Sequence, residues 1–164
     1  MLSTPNKNIY ILACEKHSGK TTALLQWIKD KKNITGILSP DVNGERMFYN
    51  IANGEYFTML APENEETLPI GKYVFSKAAF DKANSILLEI KNKFIVIDEI
   101  GPLELMGKGF ADTLKNILLH KKYTNLLLVI RKELVDDLAN FFLIDKESIH
   151  FINIKDIVNN QIEV

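Results

Sequence analysis

The residues whose types and spacing could do chemistry begin with Cys14-Glu15-Lys16-His17-Ser18-Gly19-Lys20-Thr21-Thr22. Gly19-Lys20-Thr21 supplies the second half of the pattern G-x-x-x-x-G-K-[ST]. In that pattern backbone N–H groups at a helix start cradle phosphate, the lysine reaches the β- and γ-phosphates, and the hydroxyl ligates Mg2+. Cys14 stands where the pattern asks for its first glycine. The expected phosphate-binding set is therefore Glu15, Lys16, His17, Ser18, Gly19, Lys20, Thr21 and Thr22, with Thr21 on the metal.

A second group is Phe94-Ile95-Val96-Ile97-Asp98-Glu99, four apolar residues followed by two acids. It reads as a buried strand presenting carboxylates at its C-terminal end, the edge where open α/β sheets bind ligands. Asp98 is the expected second metal ligand, and Glu99 the group that orients or deprotonates an attacking water. Arg131 directly follows the apolar run Asn125–Ile130. It is expected at the same edge, where its charge would stabilise a transferring phosphoryl group. Lys20, Glu99 and Arg131 are thus the catalytic candidates. Arg46 and Lys16 rank below them, as cations more simply read as solvated surface.

These groups need elements to position them. Asn8–Cys14 reads as a buried strand and Lys20–Asp30 as a helix with Leu24, Leu25 and Ile28 inward. Ile34–Leu38 is a second strand, stopped by Ser39-Pro40. Met47–Ala52 and Glu55–Leu60 flank Asn53-Gly54, which predicts a β-hairpin with a type I′ turn; Asn43-Gly44 marks another turn just before it. Ala61–Glu66 is an acidic loop. Helical spacing of apolar residues runs through Ser76–Ile90, then through Met106, Phe110, Leu114, Ile117 and Leu118, then through Leu134, Leu138, Phe141 and Phe142. Ile149–Ile154 predicts a last strand, and the tail from Lys155 a short helix. Strands alternating with helices imply a mostly parallel sheet covered on both faces. The apolar stripes are core.

The chain of 164 residues, 46% apolar and 25% charged, is expected to form one domain over 1–164. A net charge of −1 gives no general pull toward nucleic acid or an anionic membrane. A single cysteine excludes an intramolecular disulfide, and the three histidines have no metal-ligand spacing. There is no leader-like apolar start and no apolar run near about 18 residues, so the expected location is cytoplasmic, without a membrane partner.

The order of these pieces resembles a known family. The loop ending Gly19-Lys20-Thr21-Thr22 is followed by a strand-and-hairpin segment with Asp41, Arg46 and Phe48. Gly71-Lys72-Tyr73 precedes a helix with Phe80, and Ile95-Val96-Ile97-Asp98-Glu99-Ile100-Gly101-Pro102-Leu103-Glu104-Leu105 comes after it. This is similar to the small P-loop nucleoside-triphosphatases related to the cancer-related nucleoside-triphosphatase and its thermophile homologues. The resemblance spans Ile9 to Phe142. It implies a three-layer α/β/α P-loop sandwich of RecA-like type with an inserted hairpin. It also implies Mg2+-dependent hydrolysis of NTP to NDP and phosphate with loose base selectivity, through Lys20, Thr21, Asp98 and Glu99. The family loop is close to G-E-x-G-x-G-K-T-T, so Cys14 and His17 replace two glycines. If either position needs a left-handed backbone, the replacement costs roughly 1–2 kcal/mol, a cost histidine bears more readily than most residues.

Three functions fit these residues. Glu99 beside Asp98 suits a triphosphatase acting on ATP or GTP. Cys14 and His17 motivate a nucleotide-binding module without turnover. A nucleoside or nucleotide kinase would share the scaffold, but no R-x-x-R lid is present. The lack of N-K-x-D argues against a guanine-reading switch protein.

Overall fold

The structure is a computed structural model and describes residues 7–90, 94–120, 123 and 125–162. Its elements in chain order are β1 (Asn8–Cys14), α1 (Lys20–Ile28), β2 (Ile34–Leu38), β3 (Asp41–Val42), β4 (Glu45–Asn50), β5 (Tyr56–Thr58), β6 (Thr67–Ile70), β7 (Tyr73–Ser76), α2 (Lys77–Leu88) and β8 (Phe94–Ile100). They continue with α3 (Pro102–Leu105), α4 (Ala111–His120), β9 (Asn125–Arg131), α5 (Val135–Phe141), β10 (Ile149–Ile152) and α6 (Ile154–Val158).

The main sheet has the order β10-β1-β9-β8-β2-β4-β3, with β5 also paired to β4. The first five strands run parallel, and β4 is antiparallel to β2. Side chains alternate between faces along each strand. Ile11, Ile95, Ile97, Leu126 and Leu128 face a core shared with α2, α4 and α5. Leu12, Val96, Leu127 and Val129 face a second core shared with α1 and α6. The result is the expected three-layer α/β/α sandwich.

Two local features set the sheet. Gly36 in β2 lies opposite Val96 of β8, where a Cβ would meet the Val96 carbonyl oxygen at 1.9 Å. Only glycine lets the two backbones pass that closely. Ser76 ends β7 and caps α2, its hydroxyl accepting from Ala79 N at 3.1 Å. The helix then turns Ala79, Phe80, Ala83 and Leu87 into the core.

The structure differs from the sequence reading in three places. The left-handed pair is Asn43-Gly44, φ 54 and 82, and it joins β3 to β4 in a two-residue turn. At Asn53-Gly54 only the glycine is left-handed, so no type I′ turn forms there. The strands stop at Asn50 and Tyr56, and the wider loop is closed by Asn50 N to Glu55 O at 2.8 Å. A second hairpin, β6–β7, forms a separate two-stranded sheet. Its β6 carries Pro69 and exposed positions, so it lacks the apolar alternation of a half-buried strand. Finally, the stripe from Met106 to Leu118 is not one helix. Gly107 and Gly109 are left-handed and separate α3 from α4, which leaves Met106 exposed and Phe110 buried ahead of α4.

Candidate functional site

β1, β9 and β8 lie side by side and in parallel, so their C-terminal ends reach one edge. The loop after β1 turns into α1 through Gly19, left-handed at φ 80, and Lys20 follows as the first helical residue, buried at 9% exposure. Cys14 and Arg131 are partners at the ends of β1 and β9. β8 carries Asp98 and Glu99 across a register shift between Asp98 and Ile100; the Asp98–Glu99 peptide bond is cis.

Asp98 is fully buried. Its Oδ2 accepts from Thr21 Oγ1 at 2.9 Å and from Ser39 N at 3.2 Å, and its carbonyl accepts from the Ser39 hydroxyl. Its Oδ1 is buried with no hydrogen-bond partner among the described residues. Burial, and next the charge of Glu99, push its carboxyl up.

Glu99 lies between two guanidinium groups. Arg46 Nη2 donates to its Oε2 at 3.2 Å and Arg131 Nε donates to its Oε1 at 3.2 Å. Burial alone would raise this carboxyl. The charges of Lys20, Arg46 and Arg131 outweigh it and hold Glu99 below the usual carboxylate range. The carboxylate is therefore ionised at neutral pH.

One cavity connects these groups. Lys16, His17, Lys20, Ser39, Arg46, Glu99 and Arg131 line it together with Met59, Phe75, Phe80 and Phe110. Glu104 also stands in its wall. Its carboxylate accepts from Gly101 N at 2.7 Å and Phe110 N at 2.9 Å, and burial pushes it up to about 7. A Cβ on Gly109 would meet Glu104 Oε1 at 2.3 Å, so glycine is required where the chain closes over that carboxylate.

The expected residues fall into groups. Lys16, His17, Lys20, Glu99 and Arg131 share the cavity, and Thr21 meets Asp98 just behind it. Glu15 and Ser18 line a separate depression with Cys14, Asn153 and Lys155. Thr22 is exposed on α1. Ser39, which read only as a strand stop, holds the Asp98 carbonyl and carboxylate. The rule that ligands gather at C-terminal strand ends could have found it, since it follows β2 directly. Arg46 read as surface; a short antiparallel strand gave no signal that it reaches β8.

The two variant loop positions behave differently. Cys14 has no left-handed backbone; it ends β1 with its thiol buried, and burial raises that thiol. His17 is left-handed at φ 58 and exposed.

A lysine at a helix start, facing two acids over a parallel sheet edge, is the arrangement of P-loop nucleotide hydrolases. The family profile described as NTPase matches residues 9–162, and the chain belongs to this family of small P-loop NTPases. The crystal structure of THEP1 from the hyperthermophile Aquifex aeolicus is similar in fold, with a TM-score of 0.68. The two chains are 21% identical, over 95% of this chain and 96% of that one. No curated protein sequence matches the chain. Among the described residues no helix is long and apolar enough to cross a membrane.

Proposed function

We propose that the chain is a Mg2+-dependent nucleoside-triphosphatase that hydrolyses NTP to NDP and phosphate with loose base selectivity. The observation that carries this reading is Glu99, an ionised carboxylate held by Arg46 and Arg131 in the cavity that also takes in Lys20.

Lys20 and the loop amides hold the β- and γ-phosphates at the start of α1. Glu99 takes the proton of the attacking water. In the free protein its two arginines make it a weak base. The γ-phosphate competes for those guanidinium groups, so substrate entry weakens their hold and makes Glu99 more basic when a base is needed. Arg131 and Arg46 then meet the charge of the transferring phosphoryl group.

The residues fit a magnesium ion. Among the described residues no cluster of acids or histidines forms an all-protein metal cage. Mg2+ in phosphoryl-transfer sites is instead held by one or two side chains and the substrate phosphates. Thr21 and Asp98, whose Oδ1 is buried without a hydrogen-bond partner among the described residues, would hold it. When bound, it would neutralise charge on the β- and γ-oxygens. Cys14 and His17 do not count against turnover in this reading, because one position needs no glycine and the other already holds the left-handed backbone.

Equilibrium titration with ATP and GTP tests the phosphate site. Lys20→Ala is expected to weaken both by about tenfold or more, the loss of one charge-assisted contact worth about 1.5–3 kcal/mol. Unchanged affinity sinks the assignment.

A further inference from the structure

The hydrolytic reading gives Glu104 no part, yet the chain buries this acid to 2% exposure. Taking a carboxylate out of water is costly unless its oxygens are hydrogen-bonded. Oε2 accepts from Gly101 N at 2.7 Å and Oε1 from Phe110 N at 2.9 Å. Capping the four-residue α3 does not call for such burial. At α6 the same reciprocal cap is made near the surface by Asn153 and Asp156, at 2.7 and 3.1 Å.

What Glu104 grips is the chain just past Glu99. In the register of β8 on β9, Asp98 pairs with Val129 and Ile100 with Ile130, so Glu99 is the extra residue of a bulge. On the other side, the β2–β8 register ends at Ile97. Neither neighbouring strand pairs with Glu99, and a bulge of this kind re-aims its side chain. The backbone on its two sides therefore sets its direction. Before it, Asp98 is tied to Thr21 and Ser39. After it, Ile100 makes the last rung with β9 and Gly101 leaves the sheet. The Glu104 carboxylate holds Gly101 N, and the Gly101 carbonyl accepts from Glu104 N at 3.1 Å. The second carboxylate oxygen carries this grip to Phe110, beyond the left-handed Gly107 and Gly109. Phe110 is 1% exposed, so the anchor is set in the main core.

We propose that Glu104 is a positioning residue for hydrolysis: its carboxylate ties the end of β8 to the core at Phe110 and thereby aims Glu99. The proposal rests on the triphosphatase reading above, in which Glu99 takes the proton of water. Arg46 and Arg131 cannot supply this aim during turnover, because the γ-phosphate competes for both. The backbone must then hold the base, and a misplacement of about 1 Å costs on the order of a hundredfold in rate.

Two variants disturb the grip in different ways. Glu104→Gln keeps the shape but offers one acceptor oxygen in place of two, so Gly101 N or Phe110 N loses its partner. Gly109→Ala leaves the acid intact, but its Cβ would meet Oε1 at 2.3 Å and displace it; it carries the test if Glu104→Gln does not fold. Phosphate release and equilibrium ATP binding are measured with Mg2+ at pH 8, where Glu104, at about 7, is ionised. Each variant is measured alone and combined with Glu99→Gln, and urea unfolding gives the folded fraction. The proposal expects kcat per folded molecule to fall about ten- to a hundredfold in each single variant, with ATP affinity little changed. It expects neither change to slow Glu99→Gln further, because both act through the same group. An unchanged kcat per folded molecule overturns it, as does a slowing of Glu99→Gln by the same factor as the parent. Weaker ATP binding at unchanged kcat also overturns it and makes Glu104 part of the cavity wall only. A Glu99→Gln rate equal to that of the parent overturns the hydrolytic reading itself, on which the proposal stands.

Discussion

Thr21 Oγ1 donates to Asp98 Oδ2 at 2.9 Å across 77 residues of sequence. β9 lies between the strands that lead to these two residues, so the contact bridges a full strand at the sheet edge. It ties the start of α1 to the end of β8 and leaves the other Asp98 oxygen without a hydrogen-bond partner among the described residues. The loop and the acids are thereby one assembly before any ligand enters.

The two variant glycine positions should respond in different ways. Cys14→Gly removes a buried side chain from the end of a strand and adds backbone freedom, which together cost about 1–2 kcal/mol. For a chain of this size that lowers Tm by roughly 3–6 °C. His17→Gly relieves a left-handed backbone at φ 58 but adds freedom to the unfolded chain. The two effects oppose, and stability should stay within about 1 kcal/mol of the parent. Thermal or urea unfolding of the two variants checks this. A larger loss in His17→Gly than in Cys14→Gly contradicts it.

Arg46 should tune the acidity of Glu99. Its charge and its hydrogen bond both lower that carboxyl. Arg46→Ala therefore lets Glu99 rise, and a base that must be ionised loses activity at higher pH than before. The acid limb of kcat/KM against pH should move up in the variant. An acid limb that stays in place shows that Glu99 is not the titrating base.

Glu104 should impose a pH dependence on stability. Its carboxyl sits at about 7 in the folded protein against an ordinary 4.5. The folded state thus holds the proton more tightly than the unfolded chain. Its stabilising contribution is full below the unfolded value and is lost as pH rises through the folded one. Between about pH 5 and about pH 8 the parent should lose about 2.5 kcal/mol more than Glu104→Gln. Asp98, also raised, is present in both proteins and cancels. Urea unfolding at the two pH values decides it, and parallel losses contradict it.

What the sequence made legible follows from what side-chain pattern can carry. β1, β2, β8, β9 and β10 are short apolar runs with sharp ends, so the parallel sheet and the edge bearing Lys20, Asp98, Glu99 and Arg131 could be read directly. β6 and β7 could not, because Pro69 and exposed residues break the alternation and their pairing is settled by the turn at Gly71. The two Asn-Gly pairs looked alike, and only the spacing of their partner strands decided which one forms the tight turn. Arg46 was read only as a weaker candidate, and its place beside Glu99 was not legible. It arrives from an antiparallel strand, and no local pattern reveals which distant carboxylate a strand pairing will bring to it. Ser39 and Glu104 escaped notice as site residues because their roles are hydrogen bonds to backbone groups that only the folded chain assembles.

The central claim is that Glu99 activates water at a nucleotide site built on Lys20. Phosphate release from ATP and GTP, with Mg2+ and after its removal by chelation, measures this in the parent and in Glu99→Gln. The account predicts metal-dependent release by the parent, a fall of about 10²–10⁴-fold in Glu99→Gln, and nucleotide affinity that changes little. Equal rates in the two proteins, alongside measurable nucleotide binding, would contradict it.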